Sequence, residues 1–240
     1  MTELRNRAQK PAALADWAYA TIKEAILNLD LPMGSQVKVE ELAEQMGVSR
    51  TPIREALLSL EKDGLVRAEP RVGFFVTDIT PSDLEELFEI RQLLEGYAVK
   101  RAASRITDAD LARLARLLKR GETAVKEGDL DQYLQVDIDF HTTLMERAPN
   151  RHLSAIMGTL QDLTYRERIL SLRSPDNVQQ TLVEHRRILD ALSARDGELA
   201  GQMMAEHMAR AGRRLSRFLE LPSRPPDEGS VDPKPLSHLD

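Results

Sequence analysis

Cysteine is absent from all 240 residues. That removes disulfide scaffolds, thiolate-ligated zinc, iron–sulfur clusters and thiol nucleophiles together. Any metal site is left to His, Asp and Glu. Long apolar runs are missing too: no stretch approaches the roughly 20 residues a membrane helix needs. Arg5, Arg7 and Lys10 are not followed by an apolar run, so no signal peptide is expected. A soluble, cytoplasmic protein with no membrane partner is the expectation. An excess of positive charge is also lacking. Lys+Arg number 33 against 39 Asp+Glu, a net charge of −6, whereas nucleic-acid binders are usually basic. Residues 1–78 carry 10 Lys/Arg and 12 Asp/Glu. A DNA-binding surface would therefore have to place its cations locally. What the chain does have is 42% hydrophobic residues, enough for one large or two modest cores.

Punctuation divides the chain. Residues 13–29 repeat Leu14, Ala18, Ile22, Ala25 and Leu29 at helical spacing, and Asp30-Leu31-Pro32-Met33-Gly34 ends the run. A short helix follows with Leu42, Ala43 and Met46 on one face, and Gly47 stands where a left-handed helix end is wanted. Ser49 or Thr51 caps a third helix that tolerates Pro52 in its first turn and buries Ile53, Ala56, Leu57 and Leu60. Two β-rich runs, Leu65 to Glu69 and Phe74 to Thr77, flank Pro70-Arg71-Val72-Gly73 and predict a hairpin. After Thr77 the pattern turns helical. Thr80-Pro81-Ser82-Asp83 is a helix start, and helices are expected over 81–104, 108–127, 129–148, 151–173, 176–195 and 197–220. The fold class is thus mainly α: an N-terminal winged helix-turn-helix (12–78) and a C-terminal all-α six-helix antiparallel bundle (79–221). A flexible N-terminus (1–11) and a disordered tail (222–240), which holds five of the 12 prolines, complete the expected organisation.

Helix, helix, tight turn, helix and hairpin is the order of a winged helix-turn-helix, and Met46-Gly47-Val48-Ser49 suits its short turn. Arg50 and Arg54 lie one turn apart on the face opposite Ile53 and Leu57, where a recognition helix meets guanine edges and phosphates. Arg71 sits at the wing tip. Arg50, Arg54, Lys62, Arg67 and Arg71 all fall on this helix and wing, so the cations are placed although they are not in excess. A small helical domain with surface arginines is the plainer alternative. Against it stands the run Glu41-Leu42-Ala43-Glu44-Gln45-Met46-Gly47-Val48-Ser49-Arg50-Thr51-Pro52-Ile53-Arg54-Glu55-Ala56-Leu57, followed by Leu60 to Val66 and Arg71-Val72-Gly73-Phe74-Phe75-Val76. It resembles the GntR family of bacterial transcription regulators. The resemblance implies operator contacts from Arg50, Thr51 and Arg54, joined by the wing at Arg71 and Gly73. One departure is Glu40-Glu41, where relatives often carry a basic residue; Lys38 is the available substitute.

The helical part has polar residues where apolar ones are expected. Asp137 and His141, four apart, interrupt the stripe Leu130, Leu134, Ile138, Leu144. His185 interrupts Leu182, Leu189, Leu192, and His207 sits among Met203, Met204, Ala211 and Leu215. His185 and His207 are equidistant from the Asp196-Gly197 turn, so in an antiparallel hairpin both lie roughly 15 Å from it. Burying four such groups unpaired costs several kcal/mol. A divalent ion of zinc, nickel or manganese type satisfies three neutral imidazoles and one carboxylate as an N3O site; four separately hydrogen-bonded core residues are the alternative. His152 is off its stripe and His238 is in the tail.

Phe88-Glu89-Ile90-Arg91-Gln92-Leu93-Leu94-Glu95, Asp137-Ile138-Asp139-Phe140-His141 with Asn150 downstream, Glu184-His185-Arg186 and His207 resemble the FCD ligand-binding domain of the FadR-type GntR subgroup. The resemblance implies Asp137, His141, His185 and His207 as metal ligands beside a small, carboxylate-bearing effector. Six helices match its shorter variant. Arg91 is either a partner for the effector carboxylate or a residue on a solvated or interdomain face. The function expected is a homodimeric repressor reading an inverted-repeat operator under effector control. Two alternatives stay open: a purely dimerising helical scaffold, and a metal-dependent hydrolase or oxygenase, for which no general base is found beside the site.

Overall fold

The computed structural model describes residues 11–220, so the expected flexible N-terminus, apart from Pro11 at the start of the first helix, and the tail with His238 lie outside the described residues. The chain divides into two compact units between Ile79 and Thr80.

In the first unit, α1 (Pro11–Leu27), α2 (Val39–Gln45) and α3 (Arg50–Lys62) surround a small sheet. Apolar side chains at helical spacing turn inward together: Ile22 and Ile26 from α1 meet Ile53, Leu57 and Leu60 from α3. α2 stops at Met46, and Gly47 follows with φ +65°, the left-handed geometry its position predicts. Ser49 takes the N-cap position of α3, but its side chain makes no capping hydrogen bond. The hairpin forms from β2 (Val66–Glu69) and β3 (Gly73–Val76). A third strand that the sequence pattern misses, β1 (Gln36–Val37), pairs with β3, giving an antiparallel sheet in the order β1-β3-β2. Two residues are too few to show an alternation.

The second unit is helical throughout its described residues: α4 (Pro81–Ala102), α5 (Asp108–Glu127), α6 (Leu130–Glu146), α7 (Arg151–Thr159), α8 (Gln161–Leu172), α9 (Pro175–Ser193) and α10 (Gly197–Glu220). Thr80 and Asp83 close a reciprocal capping box at the start of α4, and Thr107 and Asp110 do the same for α5. Asn150 caps α7 through the backbone N–H groups of His152 and Leu153. The single helix predicted over 151–173 is corrected to two, so this unit has seven described helices and not six. The break falls at Leu160, whose N–H turns back to Met157 three residues earlier. Its backbone stays in the right-handed helical region. The junction therefore needs no loop or proline, and only Gly158 marks it in the sequence. α10 packs along α4 and α9 at close range, since a Cβ on Gly201 would stand 2.8 Å from the carbonyl oxygen of Gly96.

A candidate metal centre and a candidate DNA-reading face

The three inward histidines meet. His141 comes from α6, His185 from α9 and His207 from α10, and all are buried. One ligand nitrogen from each lies within 4.8 Å of the others. The Nε2 atoms of His185 and His207 are 3.2 Å apart, as their equal distance from the α9–α10 turn predicts. Aromatic packing fixes the rings: His185 stacks on Phe140 at 4.1 Å and 12°.

Carboxylates set which nitrogens face inward. Nδ1 of His141 donates to Oε2 of Glu95 at 2.5 Å, and Nδ1 of His207 donates to Oε2 of Glu184 at 2.7 Å. A proton held on Nδ1 leaves a lone pair on Nε2, the arrangement a metal-ligating imidazole needs. The donor spacing suits an ion as well. With metal–nitrogen bonds of about 2.0–2.1 Å, neighbouring ligands stand about 2.9 Å apart at 90° and about 3.4 Å apart at the tetrahedral angle. The 3.2 Å between His185 and His207 falls between these. Asp137 lies at the edge of the cluster. Its Oδ1 is 3.8 Å from His185 Nε2, and its Oδ2 is 2.8 Å from Nε of Arg168 on α8. The three histidines therefore fit a divalent ion, and Asp137 stands at the edge of the group and outside the set that converges.

Electrostatics favour the neutral form of His141 and His185. Burial lowers the pKa of His141, against the pull of Glu95 beside it. Burial pushes His185 well below the usual imidazole value, and the neighbouring His207 and His141 push in the same direction. Burial acts to raise Glu184, but hydrogen bonds from His207 and Arg214 bring it down to about 2. Glu95 feels the same conflict, and Arg91 and His141 hold it well below the ordinary carboxylate range.

One of the readings of Arg91 is settled by its burial. It is 2% exposed, which excludes the solvated face. Its guanidinium is bonded to Glu95 and Glu167, both at 2.7 Å, so the carboxylates it meets are the protein's own. A buried Arg with an acid one helical turn later was the available sequence signal; Glu167, 76 residues away, gave none. Glu95, Glu184 and Arg168 are the site residues that sequence reasoning did not single out. Arg91, Arg168, Asp137, Glu167 and two of the histidines border a cavity of about 30 Å³. That is room for about two water-sized groups.

The first unit presents its cations outward. Arg50, Thr51 and Arg54 are exposed on the first turns of α3. Arg50 pairs with Glu40 at 3.2 Å across exposed surface, a contact worth under about 1 kcal/mol and cheap to release. Arg54 lies over the ring of Phe74 at 6.0 Å. Arg71 stands at the hairpin tip with φ +64°, and Gly73 has φ +136°, a region open to glycine alone. Gln36 of β1 clasps this turn by donating to the Val72 carbonyl at 3.0 Å. Lys38 is paired with Glu41 at 2.6 Å. Among the described residues, no helix is long and apolar enough to cross a membrane.

Known proteins repeat both halves. Residues 14–76 match the bacterial regulatory proteins of the gntR family and residues 86–210 match the FCD domain. The chain is 33% identical over 215 residues to the uncharacterized HTH-type transcriptional regulator YdhC of Bacillus subtilis, covering 89% of this chain and 96% of that one. It is 27% identical to the HTH-type transcriptional repressor RspR of Escherichia coli, covering 79% and 83%. Among solved structures, E. coli McbR/YncC superposes with a TM-score of 0.68 at 27% identity, over 86% of this chain and 98% of that one. With a winged helix carrying outward arginines and a helical domain matched over most of its length, the chain belongs to the GntR family of DNA-binding transcription regulators with an FCD domain, and it is a regulator and not an enzyme.

Proposed function

We propose that residues 79–221 sense a small organic acid beside a bound divalent metal, and that residues 12–78, paired in a homodimer, report it to an inverted-repeat operator. The observation that carries the reading is the convergence of one ring nitrogen from each of three imidazoles, two of the rings backed by carboxylates. Asp137, His141, His185 and His207 would hold the ion, which supplies Lewis acidity and open positions for a ligand oxygen. Zinc, nickel and manganese all suit the donor set.

Charge gives the class of effector. Arg91 and Arg168 face Glu167 and Asp137 at the cavity, with Glu95 behind Arg91, which leaves one negative charge in excess; Glu184 and Arg214 cancel. A divalent ion reverses the sign to one positive charge, so a monocarboxylate completes the site. Because Arg91 is held by Glu95 and Glu167, Arg168 is the better partner for the effector carboxylate: once the ion takes Asp137, this guanidinium is released. A cavity of about 30 Å³ must widen for an organic acid, so effector binding and the narrow form of the cavity compete. Such competition shifts a population of conformers as far as the two affinities differ.

On the operator, Arg50 and Arg54 would reach base edges, Thr51 and the wing at Arg71 would hold phosphate, and Gly73 would shape the wing. Two-fold protein symmetry matches a two-fold site. Repression is the sign supported by the name of the relative RspR, and the cytoplasm is where operator DNA is met. The test is metal analysis of protein purified without chelator, with operator anisotropy in parallel. About one divalent ion per chain is expected, and small monocarboxylates should change operator affinity only in the loaded protein. A His185→Ala/His207→Ala protein that keeps both its metal and its effector response would overturn the sensor and leave the helical unit as a scaffold.

A further inference from the structure

α9 carries a polar stripe on its buried side. Asn177, Thr181 and Glu184 stand four and three residues apart, one above the other on a single face. All three are buried, Asn177 to 3% exposure. Arg214 of α10 faces the stripe, seven residues after His207 and so two turns along the same side of the helix. Its three nitrogens are all engaged. Nε donates to Oδ1 of Asn177 at 2.6 Å and Nη1 to Oε1 of Glu184 at 2.8 Å. Nη2 donates to Oε2 of Glu184 at 3.0 Å and to Oγ1 of Thr181 at 3.4 Å.

That fork decides what Glu184 can do. Gripped at both oxygens, the carboxylate is fixed in its plane as well as neutralised. Its Oε2 then stands 2.7 Å from Nδ1 of His207. An ionised carboxylate can only accept, so the imidazole proton sits on Nδ1. The competing tautomer would place it on Nε2, where the Nε2 of His185 at 3.2 Å is a ready acceptor. Arg210 is no substitute for Arg214: it stands 3.8 Å from Glu184 and is held by Glu206 at 2.5 Å.

The clamp is itself tied down. Nδ2 of Asn177 donates to Oγ of Ser171 at 2.9 Å, and that hydroxyl donates to Oε1 of Glu167 at 3.1 Å. Glu167 holds Arg91, and Arg91 holds Glu95, the partner of His141. One unbroken run of hydrogen bonds across α4, α8, α9 and α10 thus joins the two carboxylates behind the histidines. Ser171 and Thr181 also border the cavity, so a group bound there competes for hydroxyls that the clamp uses.

We propose that Arg214 is a positioning residue of the metal centre: by clamping Glu184 it fixes the His207 tautomer that leaves Nε2 open to an ion, and Asn177 carries that hold to Ser171 at the cavity wall. The inference rests on the metal reading above, and its test has an arm that needs no metal.

Nitrogen NMR of the histidine rings in the full chain, stripped by chelator, reads the tautomer; chelator competition reads zinc affinity. Native His207 should show a single Nδ1–H form. Arg214→Met removes the fork. It should give a mixture of both tautomers and bind zinc about tenfold more weakly, the lower end of what losing such support costs. Arg214→Lys keeps the cation without the fork and should still show the mixture. Asn177→Ala should move both readouts in the same direction. Native tautomer and native zinc affinity in Arg214→Met, or in Arg214→Lys should the first not fold, would overturn the clamp whatever the melting temperature does. An Asn177→Ala protein identical to the native one would overturn the tie to the cavity wall. A native chain that binds no zinc would overturn the metal reading, and the metal-free tautomers would still decide the clamp.

Discussion

Glu95 joins two helices through one carboxylate: Oε2 accepts from Nδ1 of His141 on α6 at 2.5 Å, while Oε1 accepts from Arg91, one turn earlier on α4, at 2.7 Å. A single side chain thus orients a candidate metal ligand and neutralises a buried cation. Glu95→Gln should lower metal affinity about 10- to 100-fold, the usual effect of losing such a partner. It should also lower the melting temperature of the metal-free protein, because Arg91 keeps only Glu167 as a buried counter-ion. Chelator competition and thermal unfolding measure the two effects. Unchanged metal affinity with a lowered melting temperature would show that Glu95 serves Arg91 alone.

Much of this arrangement is legible in the chain itself. Thr80-Pro81-Ser82-Asp83 forms the capping box its spacing specifies, because both partners lie within four residues. His185 and His207 meet because a short turn fixes the register of two regular helices. What escapes is whatever depends on distant or very short partners. The two-residue β1 exists only because β3 offers it an edge. The α7–α8 break leaves the backbone helical at Leu160. The burial of Arg91 is decided by Glu167, which no local pattern connects to it.

Arg54 and Arg71 should behave differently on DNA. Arg54 on the first turns of α3 is placed for a base edge, and Arg54→Ala should cost about 1–3 kcal/mol on the operator while relaxing discrimination against altered sites. Arg71 at the wing tip is placed for phosphate. Arg71→Ala should weaken binding to all sequences alike and reduce the salt slope by about 1. Fluorescence anisotropy against salt concentration, on operator and scrambled duplexes, reads both. Identical salt slopes for Arg71→Ala and the native protein would remove the phosphate contact.

Two glycines should answer substitution with opposite signs. A Cβ on Gly212 of α10 would stand 2.8 Å from both Cβ and Cγ of Phe88 on α4. Gly212→Ala must push these helices apart, at about 1–3 kcal/mol, lowering the melting temperature by several degrees. Gly158, in the last turn of α7, would meet nothing within 4 Å. Gly158→Ala should gain up to about 1 kcal/mol by restricting the unfolded chain. If the two shifts share a sign in calorimetry, the close α4–α10 packing is not what requires Gly212.

Asp110 gives the fold an acid limit that can be read independently of the metal centre. It closes the capping box of α5 with Thr107 and accepts two bonds from Arg147, at 2.9 and 2.7 Å. Hydrogen bonds from Arg147 and from Thr107 hold its carboxyl well below the ordinary carboxylate range. A carboxyl with a depressed folded-state pKa contributes stability that is complete above its unfolded value, about 3.9. The contribution is lost as pH falls through that value toward the folded one. Asp110→Asn should therefore melt below the native protein by a constant margin between pH 5 and pH 7, and the margin should shrink as pH drops below about 4. Thermal unfolding across that series measures it. A margin that stayed constant down to pH 3 would mean that Asp110 acts through shape alone and not through its charge.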